Sequence, residues 1–402
     1  MNMGESSSPA AGNRFRRYLQ YASSILLTYQ GTEPFHLYLK KYFSANKKHG
    51  SKDRKEIAAL CYCYFRVCLG VSVSMSVEDK LLLATFILEN KSSAILSSIK
   101  PEWNEKIELN LFAKLEMVKA IFEADKIFPF TDELSTGIDF KKFCLSFLSQ
   151  PKLYIRIRPG NTEKVTQKLN SANIPFEHIT DECIAFSNNE KVSEVILIDE
   201  EAVIQDYNSQ RVGEFFNLPM PHPEANTLKI WDCCAASGGK SILAFDIFEN
   251  IELTVSDSRK NILENLKFRF AKAGIKNYNS FVADLSVHIH LDEFKMNTDF
   301  IIADLPCSGS GTWARTPEQL HFFSKKSVKK YAILQQKIVT NAIQYLNAGG
   351  YFLYITCSVF KKENEENVEF IQKNLNLELI DSRYLEGYEM QADTLFAALF
   401  RK

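Results

Sequence analysis

The sequence has no apolar run long enough to cross a membrane. The longest mainly apolar stretch is the segment 81–88, LLLATFIL, whereas a transmembrane helix needs about 20 apolar residues. The N-terminal stretch MNMGESSSPAAGNRFRRY also lacks the apolar core of a secretory signal peptide. We therefore expect residues 1–13 to be a disordered lead-in, and the protein to act in the cytoplasm without contacting a membrane. A mitochondrial presequence, which the Ser and Arg content would also suit, is the alternative.

The cysteine pattern is not typical of a secreted or a metal-binding protein. The nine cysteines are odd in number, and no two of them are spaced as C-x-x-C. Disulfide-stapled secreted domains usually carry an even number, and structural zinc sites use closely spaced pairs. The sequence therefore predicts reduced thiols and no metal site. Because Cys61, Cys63 and Cys68 fall on one helical pattern, we expect them to pack in a core.

The net charge of −1 does not favour a general binder of polyanions. The charge is unevenly distributed, however, since residues 1–66 contain eleven Lys and Arg against four Asp and Glu. The sign reverses between residues 102 and 139. The basic region is consistent with a face for nucleic acid and equally with a solvated helical surface, and charge alone does not decide between them.

Changes of pattern divide the 402 residues, a length that suggests two or three domains. Residues 14–148 carry apolar side chains at helical spacing, which predicts an all-α domain. Residues 149–199 mix strand-like and helical segments and predict a small α/β domain. In residues 200–402, strand, turn and helix patterns repeat. This predicts an α/β domain whose parallel sheet carries helices on both faces.

The turn after the first strand of that last domain is a candidate cofactor site, because ligands of such sheets bind at the carboxyl ends of the strands. This turn, WDCCAASGGK (231–240), contains Gly238 and Gly239, which permit close approach of a ligand. It lacks the G-x-G-x-x-G of dinucleotide sites and better suits the carboxylate of S-adenosylmethionine. The next strands end in Asp257 and Asp284, placed for ribose hydroxyls and an adenine amino group. A helix-capping role is the alternative for each acid.

Two later strands each end in a thiol. Cys307 lies in ADLPCSGSGTWARTP (303–317) and Cys357 in YITCSVF (354–360). With the turn described above and QDYNSQ (205–210), these motifs resemble the Sun-type RNA cytosine-5 methyltransferases, close to the bacterial 16S ribosomal RNA enzymes of the RsmB kind. The resemblance implies a Rossmann-like class I methyltransferase domain that binds S-adenosylmethionine.

The resemblance is fainter upstream of the catalytic region. The segment GSKDRKEIAALCYCYFRV (50–67) resembles part of the NusB-like helical domain that precedes the catalytic region in this family. The segment 151–174 resembles the start of the small intervening domain. These resemblances imply an all-α NusB-like domain that binds RNA.

The resemblance also implies a role for each thiol. A thiolate that adds to C6 of cytosine makes C5 nucleophilic toward a methyl donor. Cys357 is expected to be this nucleophile, and Cys307 to assist elimination and product release. Asp304 is expected to contact the N3/N4 edge of a flipped base, and Lys240 to lie beside cofactor and base. The expected cofactor-binding residues are Cys234, Ala235, Ala236, Ser237, Gly238, Gly239, Lys240, Asp257, Arg259, Asp284 and Asp304.

Two alternatives to this assignment stay open. DNA cytosine methyltransferases attack with the thiol of a Pro-Cys segment, so the roles of Cys307 and Cys357 are reversed in the rival mechanism. The second alternative is that both are cysteines packed at strand ends. Cys233 and Cys234, beside the cofactor turn, are expected to contribute their thiols to packing.

The sequence departs from the family at two positions. Ser237 stands where the family usually has Pro, and serine leaves the turn looser than proline would. Thr394 stands where a Gly is common. Because the apolar pattern of ADTLFAALF (392–400) persists, we still expect a closing antiparallel strand there.

The expected partner is RNA bound by a monomer, with 16S ribosomal RNA ahead of transfer RNA and DNA. Arg315 and the segment 321–330, HFFSKKSVKK, interleave aromatic and cationic side chains, which suits single-stranded RNA or a solvated helix start. A non-catalytic RNA-binding or ribosome-assembly protein on the same scaffold is the first rival function, and the intact thiols speak against it. A nicotinamide-dependent oxidoreductase is the second, and the missing glycine fingerprint speaks against it.

Overall fold

The computed structural model describes residues 9–218, 227–248, 250–287 and 297–402, without the side chains of residues 9–12. The chain divides into two compact units. So far as they are described, Met1–Thr131, Asp139–Gln150 and Trp313–Phe323 form the helical unit, whereas Asp132–Ile138, Pro151–Thr312 and Ser324–Lys402 form the α/β unit. Residues 1–8 of the expected lead-in lie outside the described residues, and the first helix begins at Pro9, inside the expected lead-in.

The described part of the helical unit is built from short and medium helices. They are α1 (Pro9–Thr28), α2 (Phe35–Ala45), α3 (Ser51–Val67), α4 (Val77–Leu88), α5 (Ala94–Ile99), α6 (Pro101–Asn104), α7 (Leu111–Val118), α8 (Phe140–Ser146) and, later in the chain, α14 (Pro317–Phe322). Helix α4 begins after Ser76, whose hydroxyl accepts a bond from the Asp79 N–H at 3.1 Å, as an N-cap does. It buries seven consecutive side chains from Leu81 to Ile87, so it is a central helix of this unit.

The cysteines of the helical unit pack as predicted. Cys61 and Cys68 are buried, and burial raises the pKa of Cys63 and Cys68 to about 12. Thiols held in this state are poor nucleophiles. No described helix is both long and apolar enough to span a membrane.

A small antiparallel sheet opens the α/β unit. Its elements are β1 (Leu153–Ile157), α9 (Thr162–Ser171), β2 (Glu177–His178), β3 (Cys183–Phe186) and β4 (Ala202–Ile204). The strand order is β2-β3-β1-β4, and α9 packs Val165 and Leu169 into the same cluster as Ile155 and Ile157. Strand β4 belongs to this sheet because Ile204 pairs with Ile155. The small sheet therefore extends beyond residue 199, where the sequence pattern placed the end of the small domain.

A seven-stranded sheet forms the main part of the α/β unit. Two short helices, α10 (Tyr207–Arg211) and α11 (Gly213–Phe216), precede it. It contains β5 (Leu228–Asp232), α12 (Gly239–Ile247), β6 (Ile251–Asp257), α13 (Lys260–Ala273), β7 (Tyr278–Val282), β8 (Thr298–Asp304), α15 (Lys326–Ala342), β9 (Leu346–Thr356), α16 (Glu365–Leu375), β10 (Glu378–Leu385) and β11 (Leu395–Arg401). The strand order is β10-β11-β9-β8-β5-β6-β7.

Strands β5 to β9 run parallel to their neighbours, and β11 is antiparallel to both β9 and β10. The sheet is therefore mixed, and β11 confirms the closing antiparallel strand expected at 392–400. Adjacent residues of β5 face opposite sides, since Ile230 packs with α11, α12 and α13 and Trp231 packs with α15 and α16. This alternation places helices on both faces and leaves the carboxyl ends of β5, β6, β8 and β9 at one edge.

Candidate active site

A cavity of about 330 Å³ opens at the carboxyl ends of β5, β8 and β9, where doubly wound sheets bind their ligands. Its wall combines the turn after β5, polar side chains around α10 and groups at the ends of β8 and β9. The predicted site residues that line it are Cys234, Ala235, Ala236, Ser237, Gly239, Lys240, Asp304 and Cys357. The other predicted site residues, namely Gly238, Asp257, Arg259, Asp284 and Cys307, do not line this cavity.

The turn between β5 and α12 is shaped by its backbone. Gly238 has a φ of +83°, and a Cβ at this position would lie 2.6 Å from Phe270 Cε1. Both observations require glycine there. A Cβ on Gly239 would meet nothing within 4 Å, because this residue borders the cavity. Ala236 has a φ of +47°, and its N–H donates to Asp257 Oδ2 at 3.0 Å, which fixes the turn to the end of β6.

Asp257 is already engaged within this loop. Its carboxylate receives the Arg259 guanidinium at 2.9 and 3.1 Å and the Arg259 N–H at 3.0 Å. Burial raises the pKa of Asp257, but these bonds from Arg259 and the bond from Ala236 outweigh burial and lower it. Asp284 accepts the N–H of Ser286 at 2.9 Å. The structure therefore places both acids at strand ends, as predicted, outside the wall of the cavity.

Asp232, at the end of β5, is fully buried and lines the cavity. Its Oδ2 accepts the hydroxyl of Ser241 at 2.6 Å, whereas its Oδ1 has no hydrogen-bond partner among the described residues. Burial raises the pKa of Asp232 to about 7. We did not predict it as a site residue. An unpaired buried oxygen beside a cavity needs a donor from a ligand or from water.

Lys240 and Asp304 form an ion pair across the cavity. The Lys240 ammonium donates to Asp304 Oδ2 at 2.9 Å and to Ser209 Oγ at 2.8 Å. Lys240 is buried, whereas the Asp304 side chain is 36% exposed, so the carboxylate is the partner that reaches the open space. Ser209 and its neighbour Gln205, which also lines the cavity, were not predicted individually, although the motif QDYNSQ that contains them was singled out.

The two thiols predicted from the sequence meet in the structure. Cys307 Sγ lies 3.1 Å from Cys357 Sγ, and Cys357 lines the cavity with Asp304 and Lys240. The interaction with Cys357, together with burial, raises the pKa of the Cys307 thiol well above its ordinary value. The Gly311 N–H donates to the Cys357 carbonyl at 2.9 Å and so holds the Cys357 backbone.

Arg269, on α13, lines the cavity and supports the turn between β5 and α12. Its guanidinium donates to both the carbonyl and the hydroxyl of Ser237 at 3.0 Å and forms a bidentate pair with Asp199, with a shortest distance of 2.7 Å. The serine that replaces the usual proline is therefore anchored by a side chain. No local pattern pointed to Arg269, since its partners lie more than 30 residues away.

Two secondary expectations have different outcomes. Cys233 is buried, and burial raises its pKa, as expected of a packing residue, whereas Cys234 reaches the cavity wall.

Arg315 and residues 321–323 belong to the helical unit, whereas residues 324–330 belong to the α/β unit. The segment 321–330 is therefore divided between units.

The fold is Rossmann-like, and solved structures share it. The crystal structure of PH0851 aligns with 99% of this chain and 100% of its own at a TM-score of 0.68 and 18% identity. NSun6 from Pyrococcus horikoshii, solved with SFG, aligns with 66% of this chain and 94% of its own at a TM-score of 0.55 and 16% identity. At these identities the likeness describes the fold.

The sequence match names one family. Residues 220–398 match the family described as 16S rRNA methyltransferase RsmB/F. The resemblance that the thiol motifs indicated is therefore confirmed.

Curated relatives match part of the chain. The human tRNA (cytosine(72)-C(5))-methyltransferase NSUN6 is 32% identical over 35% of this chain and 32% of its own length. Ribosomal RNA small subunit methyltransferase B of Shewanella oneidensis is 30% identical over 36% and 33%. The 28S rRNA (cytosine-C(5))-methyltransferase of Mus musculus is 27% identical over 40% and 21%. The matches thus span a third or less of these relatives.

Proposed function

We propose that the chain is an S-adenosylmethionine-dependent methyltransferase that acts on C5 of cytosine in RNA. The observation that carries this proposal is the thiol pair, separated by 3.1 Å, with Cys357 on the wall of the cavity that also holds the Lys240–Asp304 pair. The family match and the names of the curated relatives, all RNA methyltransferases, support it.

The cavity suits the methionine part of S-adenosylmethionine. Asp232 Oδ1, which has no partner in the described part of the chain, can accept from an ammonium group. The open space beside Gly239 admits a ligand against the first turn of α12, whose N-terminus favours a carboxylate. The expected cofactor residues Asp257, Arg259 and Asp284 stand at the following strand ends for the nucleoside. The cofactor supplies an electrophilic methyl group bound to sulfur.

The covalent step uses Cys357. Its thiolate forms a bond to C6 of the cytosine, the C5–C6 π electrons shift toward N3, and N3 takes a proton or a hydrogen bond from an acid. This leaves C5 nucleophilic. Asp304, held by Lys240 at 2.9 Å, is placed to contact the N3/N4 edge of a base that has left its stack. Of the two predicted thiols, Cys357 is the one on the cavity wall, which favours it as nucleophile over the reverse assignment.

Release of the product requires the bond between sulfur and C6 to break. After the methyl group has been transferred to C5, solvent water takes the C5 proton, the C5–H electron pair restores the C5–C6 double bond, and the electron pair of the S–C6 bond returns to Cys357 Sγ. The Cys307 thiol stands 3.1 Å from that sulfur, and its raised pKa keeps it protonated and able to hydrogen-bond the departing sulfur. Cys307 is thus the elimination partner.

The RNA target is proposed as 16S ribosomal RNA. The family described as 16S rRNA methyltransferase and the ribosomal relatives favour it, whereas the NSUN6 relatives named for transfer RNA make the same chemistry on transfer RNA the second candidate. The helical unit, with the basic stretch of residues 1–66, is proposed to bind RNA in the manner of a NusB-like domain. The monomeric state and the cytoplasmic location stay predictions.

Methyl transfer from tritiated S-adenosylmethionine tests the proposal. Total RNA from a strain that lacks this gene would be incubated with wild type and with Cys357→Ala, and ribosomal and transfer RNA would then be separated. We expect labelled 5-methylcytosine in 16S ribosomal RNA with wild type and none with Cys357→Ala. If wild type labels neither naked RNA nor isolated ribosomal subunits, the chain is better described as a non-catalytic RNA-binding protein.

A further inference from the structure

Behind the thiol pair lies a buried carboxyl group that the proposed chemistry does not use. Glu363 follows β9 by seven residues and is fully buried. Its carboxyl group receives three hydrogen bonds, and each comes from a neutral donor: the N–H of Ser308 at 2.9 Å, the side-chain amide of Gln335 at 3.0 Å and the hydroxyl of Ser358 at 2.8 Å. Burying a carboxyl group costs free energy unless hydrogen bonds compensate for the lost water, as the three donors do here.

Two of these donors are the residues that immediately follow the two thiols. Ser308 follows Cys307, and Ser358 follows Cys357. One carboxyl oxygen, Oε2, accepts from the backbone after Cys307, and the other, Oε1, accepts from the side chain after Cys357. The single side chain of Glu363 therefore ties the loop after β8 to the loop after β9.

Further hydrogen bonds hold the same two loops. Gln335, from α15, donates to Glu363 and also to the Pro306 carbonyl at 3.0 Å, so the backbone is held on both sides of Cys307. The hydroxyls of Ser308, Ser310 and Ser358 lie within 3.1 to 3.2 Å of one another. All three serines are buried. A network of this kind fixes a geometry when each member is satisfied.

We propose that Glu363 is the positioning residue of the thiol pair: its carboxyl group sets the separation of Cys307 and Cys357 by binding the residue after each of them. The reason for such a device rests on the proposed function, since one thiol must attack while the other stands within hydrogen-bond reach of it. The hydrogen bonds of Glu363 are a property of the folded chain. Their effect on the separation of the two thiols can therefore be measured without RNA or methyl donor.

Binding of phenylarsine oxide measures the separation of the thiols, because trivalent arsenic bonds to two sulfurs that lie close together. The variants are Glu363→Ala, which removes the tie, and Glu363→Gln, whose amide oxygen can accept from Ser308 and Gln335 while its NH₂ donates to the Ser358 hydroxyl. Cys307→Ala and Cys357→Ala identify the pair that binds. Glu201→Ala is the matched control, since Glu201 is an equally buried carboxylate that pairs with Lys164 and Lys168 instead.

Because the arsenical must bond to both sulfurs, we expect Glu363→Ala, which loses the bonds to Ser308 and Ser358, to bind it at least about tenfold more weakly than wild type, and Glu363→Gln and Glu201→Ala to bind within about threefold of wild type. If Glu363→Ala does not fold, Ser358→Ala removes one of the hydrogen bonds to Glu363 and is also expected to weaken binding of the arsenical. Wild-type affinity in Glu363→Ala, or in Ser358→Ala, overturns the proposal, as does a Glu363→Gln variant as weak as Glu363→Ala. Because no RNA is present, this result stands apart from the test of methyl transfer.

Discussion

At the scale of the residue, the fold alters the protonation of Asp232. Its pKa rises from 3.8 to about 7 because it is buried, so the folded chain holds this proton more tightly than the unfolded chain does. Its contribution to stability is present below pH 4 and is lost as the pH rises toward about 7.

The pH dependence of Asp232→Asn therefore differs from that of wild type. The variant has no carboxyl proton to lose, so the free energy of unfolding of wild type relative to Asp232→Asn should fall by up to about 4 kcal/mol between pH 4 and pH 8. Urea unfolding of both proteins at several pH values measures this. A difference between them that does not change with pH would contradict the buried, unpaired state of Asp232.

Arg269 and Arg259 provide a second comparison between single residues. Arg269→Met leaves Asp199, which is 5% exposed, without its bidentate partner and should lower the free energy of unfolding by about 3 kcal/mol. Arg259→Met is the comparison, because Asp257 is as buried as Asp199 but keeps the N–H bonds of Ala236 and Arg259, so the variant should lower the free energy of unfolding by only about 1 kcal/mol. Chemical denaturation distinguishes the two. Equal decreases in stability would mean that Arg269 does not anchor the Ser237 turn.

These residues also show what the sequence could not predict. Cys307, Cys357, Lys240 and Asp304 lie in short motifs whose chemistry is specific, so their roles could be proposed before the structure. Arg269 approaches the Ser237 turn from a different helix, and an interaction that depends on packing between distant segments leaves no local pattern.

At the scale of the element, the turn between β5 and α12 was predicted from its glycines, but their separate roles were not. Gly238 is required by the fold, since it has a positive φ and lies against Phe270. Gly239 has an ordinary backbone conformation and borders open space, so the fold does not require glycine there, and we propose that the ligand does. The small-residue pattern is the same in both cases, and only the three-dimensional packing separates them.

The pair Gly238→Ala and Gly239→Ala tests this difference. Gly238→Ala should lower the free energy of unfolding by at least about 1–2 kcal/mol through backbone strain, with a further cost from the close approach to Phe270. Gly239→Ala should fold with wild-type stability and bind S-adenosylmethionine more weakly, because its methyl group enters the cavity. Thermal unfolding measures the change in stability, and calorimetric titration measures the affinity for S-adenosylmethionine. Unaltered cofactor affinity in Gly239→Ala would show that the cofactor does not approach this residue.

At the scale of the whole molecule, the main sheet was the most predictable feature, because repeated strand and helix signals leave few alternatives. The strand ends that carry Asp257, Asp304 and Cys357 were placed correctly for this reason. The end of the small sheet was not placed correctly, since β4 has only three residues and its pairing with β1 joins segments about 50 residues apart. The exchange of short segments between the two units, such as Trp313–Phe323, had no signal in the sequence.

The uneven charge of the chain predicts where RNA binding is sensitive to salt. Lys52 and Lys55 are exposed on α3, and the double variant Lys52→Glu/Lys55→Glu should weaken RNA binding and reduce the slope of log K against log salt by about 1 for each phosphate that a lysine no longer neutralises. Lys119→Glu, an exposed lysine in the acidic stretch, is the control. Filter binding at several salt concentrations measures the slopes. Equal slopes in all three proteins would favour the solvated-surface interpretation of the basic region.

The most direct test of the central claim is a search for the covalent intermediate on a denaturing gel. Purified Cys307→Ala and Cys357→Ala would be incubated with S-adenosylmethionine and labelled RNA that the wild-type protein methylates. Our account predicts a stable protein–RNA adduct with Cys307→Ala, which can attack but not complete elimination, and none with Cys357→Ala. An adduct with Cys357→Ala instead would reverse the roles of the thiols, and the absence of an adduct with either variant would contradict attack by this pair of cysteines.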